Sequence, residues 1–178
     1  ISLGLDTIES RTIGLLKFVK AYRSLLKLPK PKFVEVVVQD LLTRISILLK
    51  RQLAERNIGF EVRFPEEPLV IQADPELLEQ VLINLVKNAM EAVSGRENAL
   101  IEVDAAREKG TRTLIRIRDN GGGIDDEYLD KIFVPFFTTK KDGSGIGLSL
   151  SRQVMQLHKG SITLNTDSKQ GTAFTLEF

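Results

Sequence analysis

The chain of 178 residues contains no cysteine, carries almost no net charge and has no long apolar run. Without cysteine it can form neither a disulfide framework nor a thiolate metal site. A formal net charge of +1 provides no overall field to attract nucleic acid or anionic lipid, so any phosphate-binding surface must be local. No apolar run reaches the ~18 residues that a membrane helix requires. What remains, 42% hydrophobic and 28% charged residues, is typical of a globular protein.

The first 28 residues carry a heptad pattern. Spacings of four and three alternate through Ile1, Leu5, Ile8, Thr12, Leu15, Val19, Tyr22 and Leu26. The pattern predicts a long amphipathic helix, which either packs on its own domain or joins a bundle or coiled-coil dimer. Pro29 and Pro31 end it, because proline lacks an amide hydrogen and disfavours helical geometry in the residue before it. We therefore divide the chain into this helix (1–28), a stiff linker (29–34) and a globular domain (35–178).

In the globular domain, predicted strands and helices alternate. Strands are expected at 59–64, 69–73, 100–106, 113–118, 161–166 and 172–178, with a short helix at 126–132 and another ending near His158. An extended segment and then a helix are expected in 35–56, with an apolar face of Val38, Leu41, Leu42, Ile45, Leu48, Leu49 and Leu53. Asp74, Pro75 and Glu76 predict the start of a further helix that runs to about Val93. The expected class is mixed α/β, with one sheet covered by helices on one face.

This further helix places polar and apolar side chains in opposite arcs. The apolar arc contains Val81, Leu82, Leu85, Val86, Ala89, Ala92 and Val93, and the polar arc contains Gln80, Asn84, Lys87, Asn88 and Glu91. A solvated face is the simple interpretation. Asparagine, however, is a poor helix former that costs roughly a few tenths of a kcal/mol, so two asparagines four residues apart suggest a function. Because an amide oxygen is a hard ligand, we consider this stripe a candidate Mg²⁺ site.

A predicted strand ends at Asp119 and runs into Gly121, Gly122 and Gly123. A plain hairpin remains open as an interpretation, although three glycines exceed what a tight turn needs. In the functional interpretation the glycines let the backbone approach a flat ligand, and the Asp119 carboxylate accepts a hydrogen bond from it. The exocyclic amine of adenine can donate that bond, whereas guanine would present an oxygen.

A second glycine-rich segment, DGSGIGLSL at 142–150, starts a helix. Glycines at 143, 145 and 147 leave amide hydrogens uncovered at the positive end of the helix, where an anion is favoured. Lys140 and Lys141 lie just upstream and would add positive charge, so a triphosphate fits this segment. The spacing matches neither the Walker motif nor the dinucleotide fingerprint.

Four motifs in order, NLVKNAMEA, DNGGGI, IFVPFFTTK and GSGIGLSLSRQVMQLHKG, resemble the ATP-binding domain of bacterial sensor histidine kinases. That domain belongs to the superfamily of gyrase, heat-shock chaperone, histidine kinase and mismatch-repair ATPases. The resemblance covers roughly 35–178. It implies a two-layer α/β sandwich of the Bergerat type, with a mixed sheet and with ATP between helices and sheet. Residues 1–26 resemble, less specifically, the second helix of the dimerisation and phosphoacceptor hairpin.

The resemblance also implies roles for single residues. Asn88 would ligate Mg²⁺, Asn84 would lie beside it near the phosphates, and Asp119 would pair with the adenine amine. The remaining nucleotide contacts would come from Gly121, Gly123, Lys140, Gly143, Gly145, Gly147, Leu148 and Thr172. Phe133, Phe136 and Phe137 would lie at the base of a mobile lid that includes 138–142. Glu91 stands where many kinases of this family carry lysine, and its role stays open.

The implied function is the catalytic core of a sensor histidine kinase, which transfers the γ-phosphoryl group of ATP to a histidine for relay to a response-regulator aspartate. The alternatives are an ATP-hydrolysing machine of the gyrase or chaperone type, a protein-serine kinase of the same superfamily and a non-catalytic dimerising module. Hydrolysing relatives place a glutamate base four residues before the magnesium asparagine. Asn84 occupies that place here and cannot accept a proton near neutral pH, which favours a kinase.

His158, the single histidine, matches a family position that ends a helix, so we expect it to be structural and the phosphoacceptor to lie outside this chain. The expected partners are a response regulator receiver domain and a second copy of the chain, bound through the N-terminal helix, but no nucleic acid. Because the first residue is Ile1 rather than Met, we expect a piece of a longer protein. We expect this piece to be cytoplasmic, and membrane anchoring of the whole protein stays open.

Overall fold

The computed structural model describes residues 12, 19, 28–108, 112–140, 143–168 and 170–178. The predicted N-terminal helix (1–28) falls almost wholly outside these residues, as do the lid residues Lys141 and Asp142. Among the described residues, no helix combines the length and the apolar character needed to cross a membrane.

Strands and helices alternate along the described residues. The elements are β1 (Val34–Val37), α1 (Val38–Glu55), β2 (Gly59–Arg63), β3 (Val70–Ala73), α2 (Pro75–Ala92), β4 (Leu100–Glu108), β5 (Arg112–Asp119), α3 (Gly147–Leu157), β6 (Ser161–Asp167) and β7 (Gly171–Glu177). A 3₁₀ turn at Asp126–Tyr128 lies between β5 and α3. The predicted positions of the strands and of the three helices are confirmed to within a few residues.

The main sheet has the strand order β2-β4-β5-β7-β6. β2 is parallel to β4, and the other neighbouring strands pair antiparallel, so the sheet is mixed as predicted. Successive side chains of β5 point to opposite faces, and Ile115 and Ile117 are buried under the helices. Asp119 has the same parity and is also buried, so its carboxylate lies on the helix side. The opposite face carries cross-strand ion pairs such as Arg116 with Asp104.

The core lies between this sheet and the three helices, which confirms the two-layer α/β architecture. Each helix buries one apolar stripe at helical spacing. α1 buries Val38, Leu41, Leu42, Ile45, Leu49 and Leu53, and α2 buries Leu77, Leu78, Val81, Leu82, Leu85, Val86, Ala89 and Met90. α3 packs on both α2 and β6, so its start is brought beside the polar stripe of α2.

Two predictions about the elements are wrong. A second sheet exists, because β1 pairs antiparallel with β3 and is not part of the main sheet. The helix predicted at 126–132 is reduced to the 3₁₀ turn Asp126–Tyr128 followed by further turns. In this segment only Ile132 is buried, and so short a run gains too little burial to offset the cost of helix nucleation.

Two residues of the predicted apolar faces are exposed. Leu48 is 54% exposed, at the edge of the α1 stripe on a helical wheel. Ala92 is exposed although it lies within the apolar arc of α2. It is the last residue of the helix and faces the turn at Gly121 rather than the sheet.

The segment predicted to be a linker (29–34) is attached to the domain: its last residue, Val34, pairs with Ala73 as part of β1, and two further contacts precede it. The backbone N–H of Lys32 donates to Asp74 Oδ2 at 2.8 Å, and the Phe33 ring packs edge-on against His158 at 5.2 Å. Asp74 is the predicted N-cap of α2, and its Oδ1 accepts from the N–H groups of Glu76 and Leu77. The Asp74 carboxylate therefore both caps α2 and binds the backbone of the segment that leads into the domain.

His158 is buried at the end of α3, and both of its ring nitrogens are engaged. Nε2 accepts from the Asp74 N–H at 2.9 Å, and Nδ1 lies 2.8 Å from the Val154 carbonyl oxygen. Because Nε2 is an acceptor, the ring is neutral with its proton on Nδ1. These contacts support the structural role predicted for this histidine.

Candidate functional site

The site is built around Asp119, the last residue of β5. The residue is only 4% exposed, and its Oδ1 accepts from the Gly121 N–H at 2.8 Å. Burial raises the pKa of the Asp119 carboxyl above its ordinary value, while the N–H groups of Gly121 and Thr172 and the charge of Arg96 act in the opposite direction. Thr172 lies opposite Asp119 on β7. The Asp119 carboxylate is therefore a buried hydrogen-bond acceptor at the end of the central strand, and peptide N–H groups donate to it.

The glycine turn after Asp119 packs closely against its surroundings. A Cβ atom at Gly121 would lie 2.5 Å from Asp119 Oδ1 and 2.9 Å from the Ala92 Cβ, so a larger residue would displace the turn. Further along, the Ile124 N–H donates to Thr166 Oγ1, and this hydroxyl lies 3.3 Å from that of Thr172. The turn is thus fixed between the end of α2 and the β6–β7 hairpin, with its backbone beside the carboxylate.

Asn120 braces the other side of this turn, and it was not among the predicted site residues. Its Oδ1 accepts from the Leu100 N–H at 2.9 Å, and its Nδ2 donates to the Asn98 carbonyl oxygen at 2.8 Å. Arg96 donates to the Asn120 carbonyl oxygen. These bonds join the loop after α2 to the strand end, so Asn120 positions Asp119 without facing the site. An asparagine between an aspartate and a glycine was the available signal, but it also fits an ordinary turn.

The polar stripe of α2 faces the lid segment. Asn88 and Glu91 lie one helical turn apart, and both contact the Lys140 ammonium group. The distance from Lys140 Nζ to Asn88 Oδ1 is 2.8 Å, and the same nitrogen forms an ion pair with Glu91 Oε2. The amide oxygen of Asn88 is therefore oriented toward a cation, which is the arrangement that a magnesium ligand requires.

Asn84, on the same stripe, contacts α3 instead. Its Nδ2 donates to Ser151 Oγ at 3.0 Å, and Ser151 Oγ donates to the Gly147 carbonyl oxygen at 2.9 Å. A Cβ atom at Gly147 would come within 3.0 Å of the Oδ1, Cγ and Nδ2 atoms of Asn84. The structure thus shows Asn84 as a link between α2 and the first turn of α3.

Among the residues that the structure describes, no side chain caps the start of α3. The N-cap residue Ile146 makes no side-chain capping bond, and no acidic residue lies in the first turn. Upstream, a Cβ atom at Gly145 would lie 2.7 Å from the Phe136 Cα, and Gly145 itself has a φ of 67°. The Phe136 N–H donates to the Gly145 carbonyl oxygen at 2.8 Å. The glycine segment (143–147) is therefore packed on the aromatic segment (133–137), and no side chain of the described residues caps the N–H groups at the start of α3.

The aromatic segment connects the lid to the helices. The Arg152 guanidinium lies 3.7 Å from the centre of the Phe133 ring, a cation–π contact between α3 and this segment. Tyr128 and Phe137 pack with ring centres 5.7 Å apart. Phe136 has a φ of 67°, which is uncommon for a residue other than glycine. The segment is thus held at both ends beneath the lid residues 138–140.

The site offers a buried carboxylate at one end and uncapped amides with a cation-binding amide oxygen at the other. Such an arrangement suits a ligand with a hydrogen-bonding base and an anionic tail. Among the described residues, no group of three or more histidines, aspartates or glutamates could hold a metal ion. A metal here would therefore depend on few protein ligands and on the anionic ligand itself, as Mg²⁺ commonly does.

Comparisons with known proteins agree with this geometry. The family model for histidine kinase-, DNA gyrase B-, and HSP90-like ATPases matches residues 73–178. The sensor histidine kinase ZraS of Salmonella typhi is 36% identical over 156 residues, which are 85% of this chain and 33% of ZraS. The chain thus spans about a third of the length of that relative.

The chain is also similar to solved structures of histidine kinases. The nucleotide-free catalytic domain of the histidine kinase ThkA superposes with a TM-score of 0.74 at 33% identity, covering 83% of this chain and 95% of that chain. ThkA in complex with the response regulator TrrA superposes with a TM-score of 0.78 at 29% identity, covering 97% of this chain and 49% of that chain.

Proposed function

The chain belongs to the family of histidine kinase-, DNA gyrase B-, and HSP90-like ATPases, and we propose that it binds Mg²⁺ and ATP as the catalytic core of a sensor histidine kinase. The family predicted from the four motifs is confirmed, and with it a nucleotide-binding domain of the histidine kinase type. In the proposed reaction the bond from the γ-phosphorus to the ADP oxygen breaks, and a phosphorus–nitrogen bond forms on a histidine of the dimerisation domain.

The observation that carries the proposal is the buried Asp119 carboxylate beside the glycine turn. It would accept a hydrogen bond from the adenine amine, and Gly121, Gly123 and Thr172 would surround the base. A guanine oxygen at the same place would face a buried negative charge without a donor between them. A charge-assisted hydrogen bond in such a site contributes about 1.5–3 kcal/mol, which is enough to select adenine.

The other end of the site would bind the triphosphate. The uncapped N–H groups at the start of α3 would face the phosphates, in the segment formed by Gly143, Gly145, Gly147 and Leu148. Asn88 would supply an oxygen to Mg²⁺, and Lys140 would add positive charge. Phosphoryl transfer depends on positioning and charge neutralisation, and these groups would provide both.

The contacts of Asn84 favour a kinase over an ATP-hydrolysing enzyme. Asn84 stands where hydrolysing relatives place a general base, and an amide has no proton-accepting group near neutral pH. Its Nδ2 is also engaged with Ser151 at 3.0 Å. We therefore assign Asn84 to the support of the phosphate-binding helix and not to activation of water.

The partners follow from the same assignment. ThkA has been solved in complex with a response regulator, and the similarity to that histidine kinase covers 97% of this chain. A response regulator receiver domain is the partner that would take the phosphoryl group from the histidine. Dimerisation through the heptad helix (1–28) would bring the acceptor histidine within reach of the site. His158 is not that acceptor in this proposal, because its ring is buried and both nitrogens are engaged.

The proposal is tested by phosphoryl transfer in trans. The chain is mixed with Mg²⁺, labelled ATP and a separately made helical hairpin that carries a histidine. We expect acid-labile label on the hairpin and none on His158. Asp119→Asn should weaken ATP binding in calorimetry by roughly ten- to 150-fold, which corresponds to the loss of about 1.5–3 kcal/mol. Asp126→Asn, an exposed aspartate of the nearby 3₁₀ turn, should leave the affinity unchanged.

Each alternative has its own result. Acid-stable label on serine would indicate a protein-serine kinase, and rapid release of free phosphate without an acceptor would indicate a hydrolase. Equal ATP affinity of Asp119→Asn and the unchanged chain would contradict the proposed nucleotide site itself.

A further inference from the structure

Glu91, which has no role in the proposed function, lies in one cluster with Lys140 and Asn88. Lys140 belongs to the lid segment, and Asn88 lies 52 residues earlier on α2. The Lys140 ammonium group donates to Asn88 Oδ1 at 2.8 Å and pairs with Glu91 Oε2. One positive charge is thus held by an amide oxygen and a carboxylate oxygen that converge on the same point.

Amide and carboxylate oxygens are the ligands that Mg²⁺ prefers, and Asn88 is already the proposed magnesium ligand. Because the Lys140 ammonium group contacts both oxygens, the two oxygens lie close enough together to bind a single cation. The two side chains lie one helical turn apart on the same face, so α2 sets their spacing. Lys140 and Glu91 are about half exposed, at 43% and 51%, so a hydrated ion can reach the place.

A carboxylate at this position has a consequence for a triphosphate. Glu91 would repel the phosphates unless a cation lay between them, and either the ammonium group or a metal ion can be that cation. Both cannot occupy one place, because two positive charges at contact distance repel strongly in a partly dehydrated site. Entry of the metal must therefore move Lys140.

From these contacts we propose that Asn88 and Glu91 form one exchangeable cation site. Lys140 occupies it in the nucleotide-free protein and keeps residues 138–140 of the lid on α2. With Mg²⁺ and ATP, Asn88 and Glu91 would hold the metal together, and Lys140, displaced from these two oxygens, would turn to the triphosphate. This inference rests on the proposed function and adds Glu91 to it as a metal-positioning residue.

The test separates the metal-dependent part of nucleotide binding from the metal-free part. Calorimetry measures the affinity for a nonhydrolysable ATP analogue with Mg²⁺ and in chelator. We expect Glu91→Gln to lose roughly tenfold of the gain in affinity that Mg²⁺ provides, since ligand-orienting groups typically have effects of that size. Lys140→Met should retain that gain and weaken binding in chelator. Glu79→Gln, on the same helix, is the matched control and should behave like the unchanged chain.

A second measurement does not depend on the bound nucleotide. Amide hydrogen exchange of residues 138–147 in the nucleotide-free protein reports whether the lid is held on α2. Exchange should become faster in Glu91→Gln and in Lys140→Met, but not in Glu79→Gln. Circular dichroism establishes that each variant is folded before it is compared.

The outcomes distinguish this inference from the function on which it rests. If the unchanged chain binds the analogue but Glu91→Gln shows the same gain from Mg²⁺ and the same lid exchange, the cation site is wrong and the kinase assignment stands. If the unchanged chain binds no analogue under any condition, the proposed function fails and this inference fails with it.

Discussion

Replacing Gly147 by alanine tests whether Asn84 and the start of α3 are packed as the structure shows. In most helices this change is favourable, because alanine exceeds glycine in helix propensity by up to about 1 kcal/mol. Here the new Cβ atom would come within 3.0 Å of three terminal atoms of Asn84, so the whole carboxamide must move and not only its tip. Asn84 is also held by its hydrogen bond to Ser151. We therefore expect a change of opposite sign.

The magnitude follows from these terms. Overpacking costs about 1–3 kcal/mol, and loss of the bond from Asn84 to Ser151 costs about 0.5–1.5 kcal/mol. After the propensity gain is subtracted, Gly147→Ala should lower the free energy of unfolding by roughly 0.5 to 3.5 kcal/mol. With Asn84→Ala already present the obstacle is absent, and the same change should stabilise by up to about 1 kcal/mol.

Urea unfolding of the four proteins, followed by circular dichroism without nucleotide, measures the coupling between the two positions. We expect a coupling energy of at least about 1.5 kcal/mol, because the sign of the Gly147→Ala effect should reverse between the two backgrounds. If Gly147→Ala stabilises the unchanged chain, or if the two substitutions are additive, the link between α2 and α3 is wrong.

Two further predictions concern pH. Burial raises the pKa of Asp74, but the N–H groups of Lys32, Leu77 and Glu76 outweigh it, so the net pKa is below the ordinary 3.8. Its carboxylate therefore stabilises the fold above pH 3.8, and this contribution is lost as the pH falls through the lower folded value. Asp74→Ala should cost about 1–2 kcal/mol in urea unfolding at neutral pH and less in acid, and a constant difference would contradict this. Because burial raises the pKa of Asp119, ATP affinity should start to fall above pH 3.8 on acidification, whereas an affinity that is flat down to that pH would contradict its role.

The parts of the site that lie within one element were predictable from the sequence. The strand parity of Ile115, Ile117 and Asp119 follows from alternation, and the glycines after Asp119 marked the strand end. The polar stripe with Asn84 and Asn88 followed from helical spacing. In each of these cases a period of two or 3.6 residues determines which side chains share a face, and the sequence contains that period.

The contacts between elements were not predictable. The bond from Asn84 to Ser151 depends on how α2 and α3 approach, and the two residues are 67 positions apart. The contacts of Lys140 with Asn88 and Glu91 were not predictable for the same reason, because the sequence around Lys140 does not determine which helix its ammonium group contacts. For Ala92 the helical wheel was misleading: it places this residue in the apolar arc of α2, whereas the structure places it beside the Gly121 turn of the candidate site.

The chain enters the domain at the point where α2 begins and α3 ends. Asp74 caps α2 and His158 closes α3, and the two residues are joined by a hydrogen bond of 2.9 Å. The incoming backbone is fastened to the first through Lys32 and to the second through Phe33. A displacement of residues 32–33 would therefore act directly on the start of α2 and the end of α3, the two helices that frame the candidate site.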